Sequence, residues 1–295
     1  MNQLEPGQDY RSSKNGSLTD DIVRYYNECY WDYRTSWLDN HNLAIHYGYW
    51  DEATRHHSQA LLNMNRVLAD TAGIAAGERV LDAGCGIGGS SIWLAENRAA
   101  RVTGITLSDL QVNQARRNAV QRGVADRVDF QAADFSATPF ADESFDVIWG
   151  IESICHALDK AAFICEAYRL LKKGGRLVCS DGYALRRSYS DAEWQTIKTC
   201  LDGWQIPNLA TPDEFSSYLS EAGFTDIRFN DITPHILPSS RRLYQTARLT
   251  HPMQTLMGWL KLRTPAQTGN FYTALNQYRI FADGLGCYGV FCASK

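Results

Sequence analysis

The sequence lacks several features that would point to other classes of protein. It has no apolar run near the ~20 residues that a membrane span needs, and residues 1–16 contain no hydrophobic signal region. Its eight cysteines form no C-x-x-C pair, which argues against a zinc ribbon. The formal net charge of −4 gives no basic field for nucleic acid. We therefore expect a cytoplasmic protein with no membrane span, no metal site and no nucleic-acid partner.

The composition is that of an ordinary globular chain. Of its 295 residues, 44% are hydrophobic and 21% are charged, which suffices for a core without disulfide or metal support. Several cysteines lie inside apolar runs, so we expect free buried thiols. Aromatic residues make up 12% of the chain, and many of them fall outside the nucleotide-type core inferred below.

The middle of the chain alternates short apolar strands with amphipathic helices. Strands are predicted at 79–84, 101–107, 127–134, 145–150 and 176–182, and helices at 89–98, 109–122 and 159–173. This alternation implies βαβ units and right-handed crossovers. The predicted fold class is therefore α/β, with a Rossmann-like, doubly wound sheet.

The flanking segments are predicted to be mainly helical. The N-terminal part divides into a flexible tail over 1–18 and a helical lid over 19–74, whose first helix has Thr19 or Asp20 as its N-cap. The core covers 75–234 and 285–295, with late strands at 224–231 and 289–294. Between them a helical cap is predicted at 235–284, mostly helical over 239–282, and we expect it to cover the site.

A glycine-rich loop follows the first core strand. Gly84, Gly86 and Gly89 fit G-x-G-x-x-G, and Asp82 stands at the strand end. A NAD site would need an acid at the end of the second strand, where the chain has Thr106 instead. No Gly-Lys-Ser/Thr follows, so a phosphate loop is also disfavoured. Asp82 suits a cationic or amine-bearing ligand.

At this point the motifs resemble those of a known family. LDAGCGIGG, ITLSDLQV, AADFSATPFADESFDVIWGIES and RLLKKGGRLVCSD follow in the order found in class I S-adenosylmethionine-dependent methyltransferases. The chain is similar to the sterol C24, tocopherol and cyclopropane-fatty-acid types of this family. The resemblance implies a seven-stranded sheet of order 3-2-1-4-5-7-6. It also implies S-adenosyl-L-methionine as cofactor, with S-adenosyl-L-homocysteine as product.

The same resemblance implies a set of cofactor-binding residues. Asp82 and the loop backbone would hold the methionine part, and later residues would lie by the ribose and adenine. The implied set is Asp82, Gly84, Gly86, Gly88, Thr106, Leu107, Gln111, Asp134 and Phe135. An aromatic residue from the N-terminal lid would cover the sulfonium. Tyr26, Tyr30 and Trp31 are candidates on the first helix, and Tyr30 or Tyr47 is expected to close the lid.

Two candidate catalytic residues, Glu152 and His156, follow the fourth core strand in the stretch IESICHA. That stretch resembles one in sterol C24-methyltransferases, where methyl attack on an alkene leaves a carbocation. Glu152 would stabilise the cation or take its proton, which favours C-methylation of a prenyl-type alkene. The alternative is O- or N-methylation of a natural-product intermediate, with His156 as base. A non-catalytic cofactor-binding protein is the remote alternative.

The cap supplies the predicted acceptor site. Aromatic side chains there would shield an isoprenoid from water, and the candidates are Trp204, Tyr244, Trp259, Tyr272 and Tyr278. Cap arginines would hold a diphosphate if the acceptor carried one; these are Arg186, Arg187, Arg241, Arg242, Arg248 and Arg279. The expected partner is a small-molecule acceptor, and the chain is expected to be a monomer or a homo-oligomer.

Overall fold

A computed structural model describes residues 2–5, 7–12, 17–38 and 41–295. The strands are β1 (Asn2–Gln3), β2 (Arg79–Ala83), β3 (Arg101–Thr106), β4 (Val128–Ala132), β5 (Phe145–Ile151), β6 (Leu171–Ala184), β7 (Ser188–Tyr189), β8 (Thr225–Asp231) and β9 (Gly286–Ser294). The helices are α1 (Leu18–Ser36), α2 (His57–Ala72), α3 (Gly89–Arg98), α4 (Asp109–Gln121), α5 (Lys160–Leu170), α6 (Asp191–Gly203), α7 (Pro212–Glu221), α8 (Thr233–Trp259) and α9 (Pro265–Ala282). A short 3-10 helix, Ile154–His156, lies between β5 and α5.

Seven strands form the main sheet, in the order β4-β3-β2-β5-β6-β9-β8. Counted from β2, this is the order 3-2-1-4-5-7-6, so the predicted doubly wound sheet is confirmed. Neighbouring strands are parallel except β9, which is antiparallel to both β6 and β8. The chain runs outward from β2 to β4 and then returns to β5 beyond β2. This reversal leaves a crevice at the carboxyl ends of β2 and β5.

Helices cover both faces of the sheet, and β5 shows how the faces divide. Val147 and Trp149 belong to a buried cluster that includes side chains of α2, whereas Ile148 packs with Phe163 of α5. Successive side chains of a strand point to opposite faces, so a strand buried on both faces is almost continuously apolar. This packing fixes the strand ends that border the crevice.

The N-terminal segment differs from the loose tail predicted over 1–18. β1 pairs with β7, Leu4 is buried, and Arg11 forms ion pairs with Asp9 and Asp21. The prediction is therefore wrong for the described residues of this segment. Its few apolar and charged side chains have buried partners far along the chain, which local composition does not reveal.

Helix α1 is capped at Ser17, two residues before Thr19 and three before Asp20. The hydroxyl of Ser17 accepts a hydrogen bond from the backbone N–H of Asp20, and the Asp20 carboxylate accepts from the backbone N–H of Ser17. This capping box replaces the predicted cap at Thr19 or Asp20. It fixes the start of a helix that lies over the crevice.

The segment predicted as a helical cap forms α8 and α9. Helix α9 packs so closely against α6 that a Cβ on Gly203 would lie 2.3 Å from the carbonyl oxygen of Gly269. The glycine pair therefore permits a backbone contact that any side chain would prevent. Among the described residues, no helix is both long and apolar enough to cross a membrane.

Candidate active site

The glycine loop joins β2 to α3 at the crevice. Gly84 has φ +93°, and a Cβ there would lie 2.3 Å from the Cβ of Ser153. Only glycine combines this left-handed backbone with so close an approach. The hydroxyl of Ser153 donates to the carbonyl oxygen of Ala83, which ties the segment after β5 to the end of β2. The loop thus forms one wall of a narrow cavity.

This glycine-loop cavity has a volume of about 100 Å³. It brings together most of the residues that the sequence assigned to the cofactor. Those that line it are Asp82, Gly84, Gly86, Thr106, Leu107, Gln111 and Phe135. Gln111 accepts a hydrogen bond from the hydroxyl of Thr106, which links the end of β3 to the start of α4.

Four predicted cofactor residues do not line this cavity. Gly88 faces Phe130 on the far side of the loop, where a Cβ would lie 2.9 Å from the ring. Asp134 is exposed, and its carboxylate accepts from the backbone N–H of Ser136 in a local turn. Tyr30 lines a separate surface depression, and Tyr47 lies farther in.

Helix α1 nevertheless does cover the glycine-loop cavity, with other side chains. Ile22, Val23 and Tyr26 line it, whereas Tyr30 is directed past it toward α4. The rotation of a helix about its axis is set by packing, and the tyrosine-rich sequence of α1 does not define it. Of the lid tyrosines considered from the sequence, Tyr26 lines the glycine-loop cavity, whereas Tyr30 and Tyr47 do not.

Asp82 is the buried charge of this cavity. Its carboxylate accepts a hydrogen bond from the hydroxyl of Ser91, and burial raises its pKa to about 6. No lysine or arginine among the described residues forms an ion pair with it. A buried carboxylate without a cationic partner at a cavity wall fits an ammonium group supplied by a ligand.

A second and larger cavity, the cap cavity, has a volume of about 390 Å³. Its walls are mostly apolar and come from α1, α8, α9 and the segment around Tyr47. Among the described residues that line it, Arg263 is the one lysine or arginine, and it forms an ion pair of 2.7 Å with Asp32. The cap cavity therefore offers no unpaired cation from a lysine or arginine to an anionic ligand.

The predicted acceptor residues are mostly elsewhere. Trp204 lines the cap cavity and donates from its indole N–H to Asn270. Tyr244 and Tyr278 stack on each other outside it, while Trp259 is 78% exposed and Tyr272 is 45% exposed. The composition of the cap indicated aromatic walls, but most of these rings lie on its outer side.

The six arginines predicted to hold a diphosphate also lie outside the cap cavity. Several of them have carboxylate partners in ion pairs, namely Arg186 with Glu193, Arg187 with Glu214, and Arg279 with Asp283. None of the six predicted diphosphate contacts lines the cavity. The prediction that these residues hold a diphosphate there is wrong, because their side chains extend along the outer surface.

The two cavities meet at five residues that line both. They are Tyr26, Ile45, His46, Glu152 and His156. Both predicted catalytic residues therefore lie at the junction, at the carboxyl end of β5. This is the position at which a group on one ligand would face a group on another.

Glu152 is held in a strained and specific arrangement. Its φ is +49°, and its backbone N–H donates to the carbonyl oxygen of Ser180. One carboxylate oxygen accepts from the backbone N–H of Tyr47 at 2.7 Å and from the hydroxyl of Tyr288 at 2.8 Å. Burial raises the pKa of Glu152 to about 8, so the group is mainly protonated at neutral pH.

His156 has protein partners at both ring nitrogens. Nδ1 donates to the carbonyl oxygen of Gln205 at 3.3 Å, and Nε2 accepts from the hydroxyl of Tyr26 at 2.9 Å. Burial lowers its pKa to about 4, so the ring is neutral at neutral pH. The hydrogen bond from Tyr26 joins α1 to the end of β5.

Sequence reasoning missed His46 as a reacting group. Its Nδ1 donates to the carbonyl oxygen of Tyr47 at 2.8 Å, which leaves the lone pair on Nε2. That nitrogen is buried and has no hydrogen-bond partner among the described residues. Burial lowers the pKa of His46 to about 4. The sequence signal was present in HYGYW, but nothing in the sequence shows that one nitrogen is left without a partner.

Known proteins resemble this chain in sequence. Residues 81–179 match a family model described as a methyltransferase domain. Over 195 residues the chain is 35% identical to the 27-O-demethylrifamycin SV methyltransferase of Amycolatopsis mediterranei. That match covers 66% of this chain and 71% of the relative.

Solved structures share the fold. The crystal structure of the cyclase SpnF matches with a TM-score of 0.78 and 24% identity, covering 100% of this chain and 99% of that one. A geranyl diphosphate C-methyltransferase from Streptomyces coelicolor A3(2), bound to Mg²⁺, geranyl diphosphate and S-adenosyl-L-homocysteine, matches with a TM-score of 0.71 and 22% identity. It covers 95% of this chain, and 98% of its own length is matched.

Proposed function

The chain belongs to the S-adenosylmethionine-dependent methyltransferases that act on small molecules, and we propose that it methylates a hydroxyl group of a neutral, largely apolar acceptor. The observation that carries this proposal is the junction. There, an apolar cavity whose described lining includes no unpaired lysine or arginine meets the glycine-loop cavity at buried groups that can take a proton. The name of the Amycolatopsis relative, which refers to an O-demethylated compound, supports an oxygen acceptor.

The residues of the glycine-loop cavity fit the cofactor. The buried carboxylate of Asp82 would hold the ammonium group of its methionine part, and Gly84 would allow close backbone approach. Thr106, Gln111 and Phe135 would lie by the ribose and adenine. When bound, the cofactor supplies an electrophilic methyl group. The chain must place the acceptor oxygen in line with it and keep water out.

In this proposal Nε2 of His46 accepts the proton that the acceptor hydroxyl loses. The oxygen gains a bond to the methyl carbon and loses its proton, so an unprotonated nitrogen beside it is needed. His46 supplies a buried lone pair at the junction, with its tautomer fixed by Tyr47. His156, the base suggested by the sequence, already accepts from Tyr26 and would serve to position α1.

C-methylation of an alkene is the second candidate, and the position of Glu152 at the junction favours it. A carboxylate there would stabilise a carbocation against apolar walls. Two observations weigh against C-methylation of a prenyl diphosphate. The described residues that line the cap cavity include no unpaired lysine or arginine to bind the diphosphate. Burial also keeps Glu152 mainly protonated at neutral pH, which leaves little carboxylate to stabilise a cation.

The test is methyl transfer from labelled S-adenosylmethionine to a panel of neutral alcohols, phenols, sterols and prenyl diphosphates. We expect label in ether linkages, and a loss of about 100-fold or more in turnover for His46→Gln with unchanged affinity for S-adenosylhomocysteine. His251→Gln, on the outer side of α8, is the matched control and should keep full turnover. Label on carbon, or an active His46→Gln variant, would overturn this assignment.

The pH profile separates the two candidate groups. With His46 as proton acceptor, turnover stays level from about pH 5 upward and declines toward its pKa of about 4. With the Glu152 carboxylate as the essential group, turnover would instead rise up to its pKa of about 8.

A further inference from the structure

The second half of α8 exposes large apolar side chains along one line. Leu249, Met253 and Leu256 of α8 and Leu260 at its C-cap follow a spacing of four, three and four residues, which places them on one side of the helix. We call this line the α8 stripe. Each of its members is about half exposed or more, and Leu249 reaches 83%. Soluble surfaces rarely expose such a contiguous row without a partner.

The stripe continues around the end of the helix. Trp259 is 78% exposed and Leu262 is 65% exposed, although these residues flank a turn where polar side chains are usual. An indole at the border of an apolar patch suits a boundary between water and hydrocarbon. The patch therefore has both an apolar centre and an interfacial rim.

The charged side chains of residues 232–282 are all basic. Residues 232–282 contain no aspartate or glutamate, although the whole chain has a net charge of −4. The same stretch carries six basic side chains: Arg241, Arg242, Arg248, Lys261, Arg263 and Arg279. All of these except Arg263 are exposed. The cap thus presents a positive surface around an apolar stripe.

The stripe also borders the opening of the cap cavity. Met253 belongs to the stripe, is 54% exposed, and lines the cavity. Thr250 and Gln254, on either side of it in the sequence, line the cavity as well. If the stripe lay against an apolar surface, an apolar molecule could pass from that surface to the apolar walls of the cap cavity without crossing bulk water.

We propose that the α8 stripe and the adjoining turn dock on the surface of an anionic lipid bilayer. Exposed leucines and a tryptophan would enter the interface, and the surrounding arginines and Lys261 would face the anionic headgroups. A second copy of the chain fits less well. A two-fold contact through the stripe would bring the positive surfaces of two copies together.

Vesicle flotation with the full chain tests the proposal. We expect binding to phosphatidylcholine vesicles that contain phosphatidylglycerol to exceed binding to pure phosphatidylcholine by about tenfold, and to weaken as salt rises. The double variant Leu249→Ser with Leu256→Ser should lose binding by a similar factor, and Arg248→Glu with Lys261→Glu should lose the preference for anionic lipid.

Matched controls lie on α4, at Leu110, which is 64% exposed, and at Arg117, which is also exposed. Leu110→Ser and Arg117→Glu should bind vesicles like the unaltered chain. Affinity for S-adenosylhomocysteine, measured on every variant, reports folding and cofactor binding independently of docking. Failure of that affinity in the unaltered chain would count against the proposed function and leave docking intact.

Three outcomes would overturn the docking proposal. One is equal binding to both kinds of vesicle, and another is unchanged binding by the Leu249 and Leu256 double variant. In the third, the chain does not bind vesicles but instead associates with itself or binds an acidic protein. The double variant would abolish that association. That last result would assign the stripe to a protein interface instead.

Discussion

The two cavities differ in how the chain builds them. The glycine-loop cavity is formed mainly by short segments after β2, β3 and β5, whose backbones are fixed by the sheet. The cap cavity is formed by side chains of α1, α8 and α9, which are far apart in sequence. A site made of strand ends is dictated by local sequence, whereas a site made between helices depends on how each helix is rotated.

The largest expected difference is between a glycine-to-alanine change in the glycine loop and one in α8, the helix that forms one wall of the cap cavity. Gly84→Ala forces a Cβ into Ser153 at a positive φ, so we expect a loss of about 3 kcal/mol in unfolding free energy. Cofactor affinity should fall by about 100-fold or more. Gly258→Ala, in α8 with nothing near its Cβ, should instead stabilise by up to ~1 kcal/mol. Thermal unfolding and calorimetric titration with S-adenosylhomocysteine measure both effects, and two losses of equal size would contradict the contrast.

Two alanine-to-leucine changes should separate the cavities functionally. Ala274 lines only the cap cavity and Ala133 only the glycine-loop cavity. We expect Ala274→Leu to raise the acceptor KM about tenfold with unchanged affinity for S-adenosylhomocysteine, and Ala133→Leu to do the reverse. Steady-state kinetics and titration report the two constants. If either variant changed the acceptor KM and the affinity for S-adenosylhomocysteine by the same factor, the cavities would not act as separate sites.

Glu152, at the junction of the two cavities, should make the stability of the chain depend on pH. Its pKa is about 8 in the folded chain against an ordinary value of 4.5, so unfolding releases a proton between these values. The unaltered chain should therefore lose stability as pH rises from 4.5 to 8, relative to Glu152→Gln, which cannot ionise. We expect the variant to melt a few degrees higher near pH 8 and at the same temperature near pH 4.5.

The control for this measurement is Glu221→Gln, an exposed position at the end of α7. Its melting temperature should follow that of the unaltered chain at every pH. A Glu152→Gln variant that lost stability as pH rose would show that the carboxylate is charged and paired in the folded state.

The smallest effect is expected on the outer side of the cap. Tyr272 is 45% exposed and lines neither cavity, so Tyr272→Ser should change turnover less than about twofold. Trp204→Leu, inside the cap cavity, is the matched aromatic change and should raise the acceptor KM. A large loss for Tyr272→Ser alone would restore the predicted role of the outer aromatic side chains.

The sequence was sufficient for the core and for much of the glycine-loop cavity. Alternating strands and helices predicted a doubly wound sheet, and the family resemblance implied its strand order. Asp82, Thr106 and Gln111, taken from the same motifs, line the glycine-loop cavity. These features are local, since a strand end and the turn after it are encoded within a few residues. The exceptions, Gly88 and Asp134, belong to the same motifs but face away, because a turn presents only some of its residues to one side.

The cap cavity was not predictable in the same way. Tyr30 and Tyr26 lie on one helix, yet only Tyr26 lines the junction. Helix α9 carries apolar and polar residues around its whole circumference, so no stripe in its sequence marks the cavity side. Whether Nε2 of His46 has a hydrogen-bond partner depends on which residues the fold places near it. The sequence alone does not predict this.

The contact between Gly203 and Gly269 has a consequence for divergence. It anchors α9 to α6 through backbone atoms, whereas the half of α8 beyond Ala247 lacks such an anchor. Substitutions along α8 can therefore reshape one wall of the cap cavity while α9, the junction and the glycine loop keep their places. During evolution, substitutions in this single helix could therefore change which acceptor is bound. A library of variants confined to residues 243–254 would test the same possibility in the laboratory.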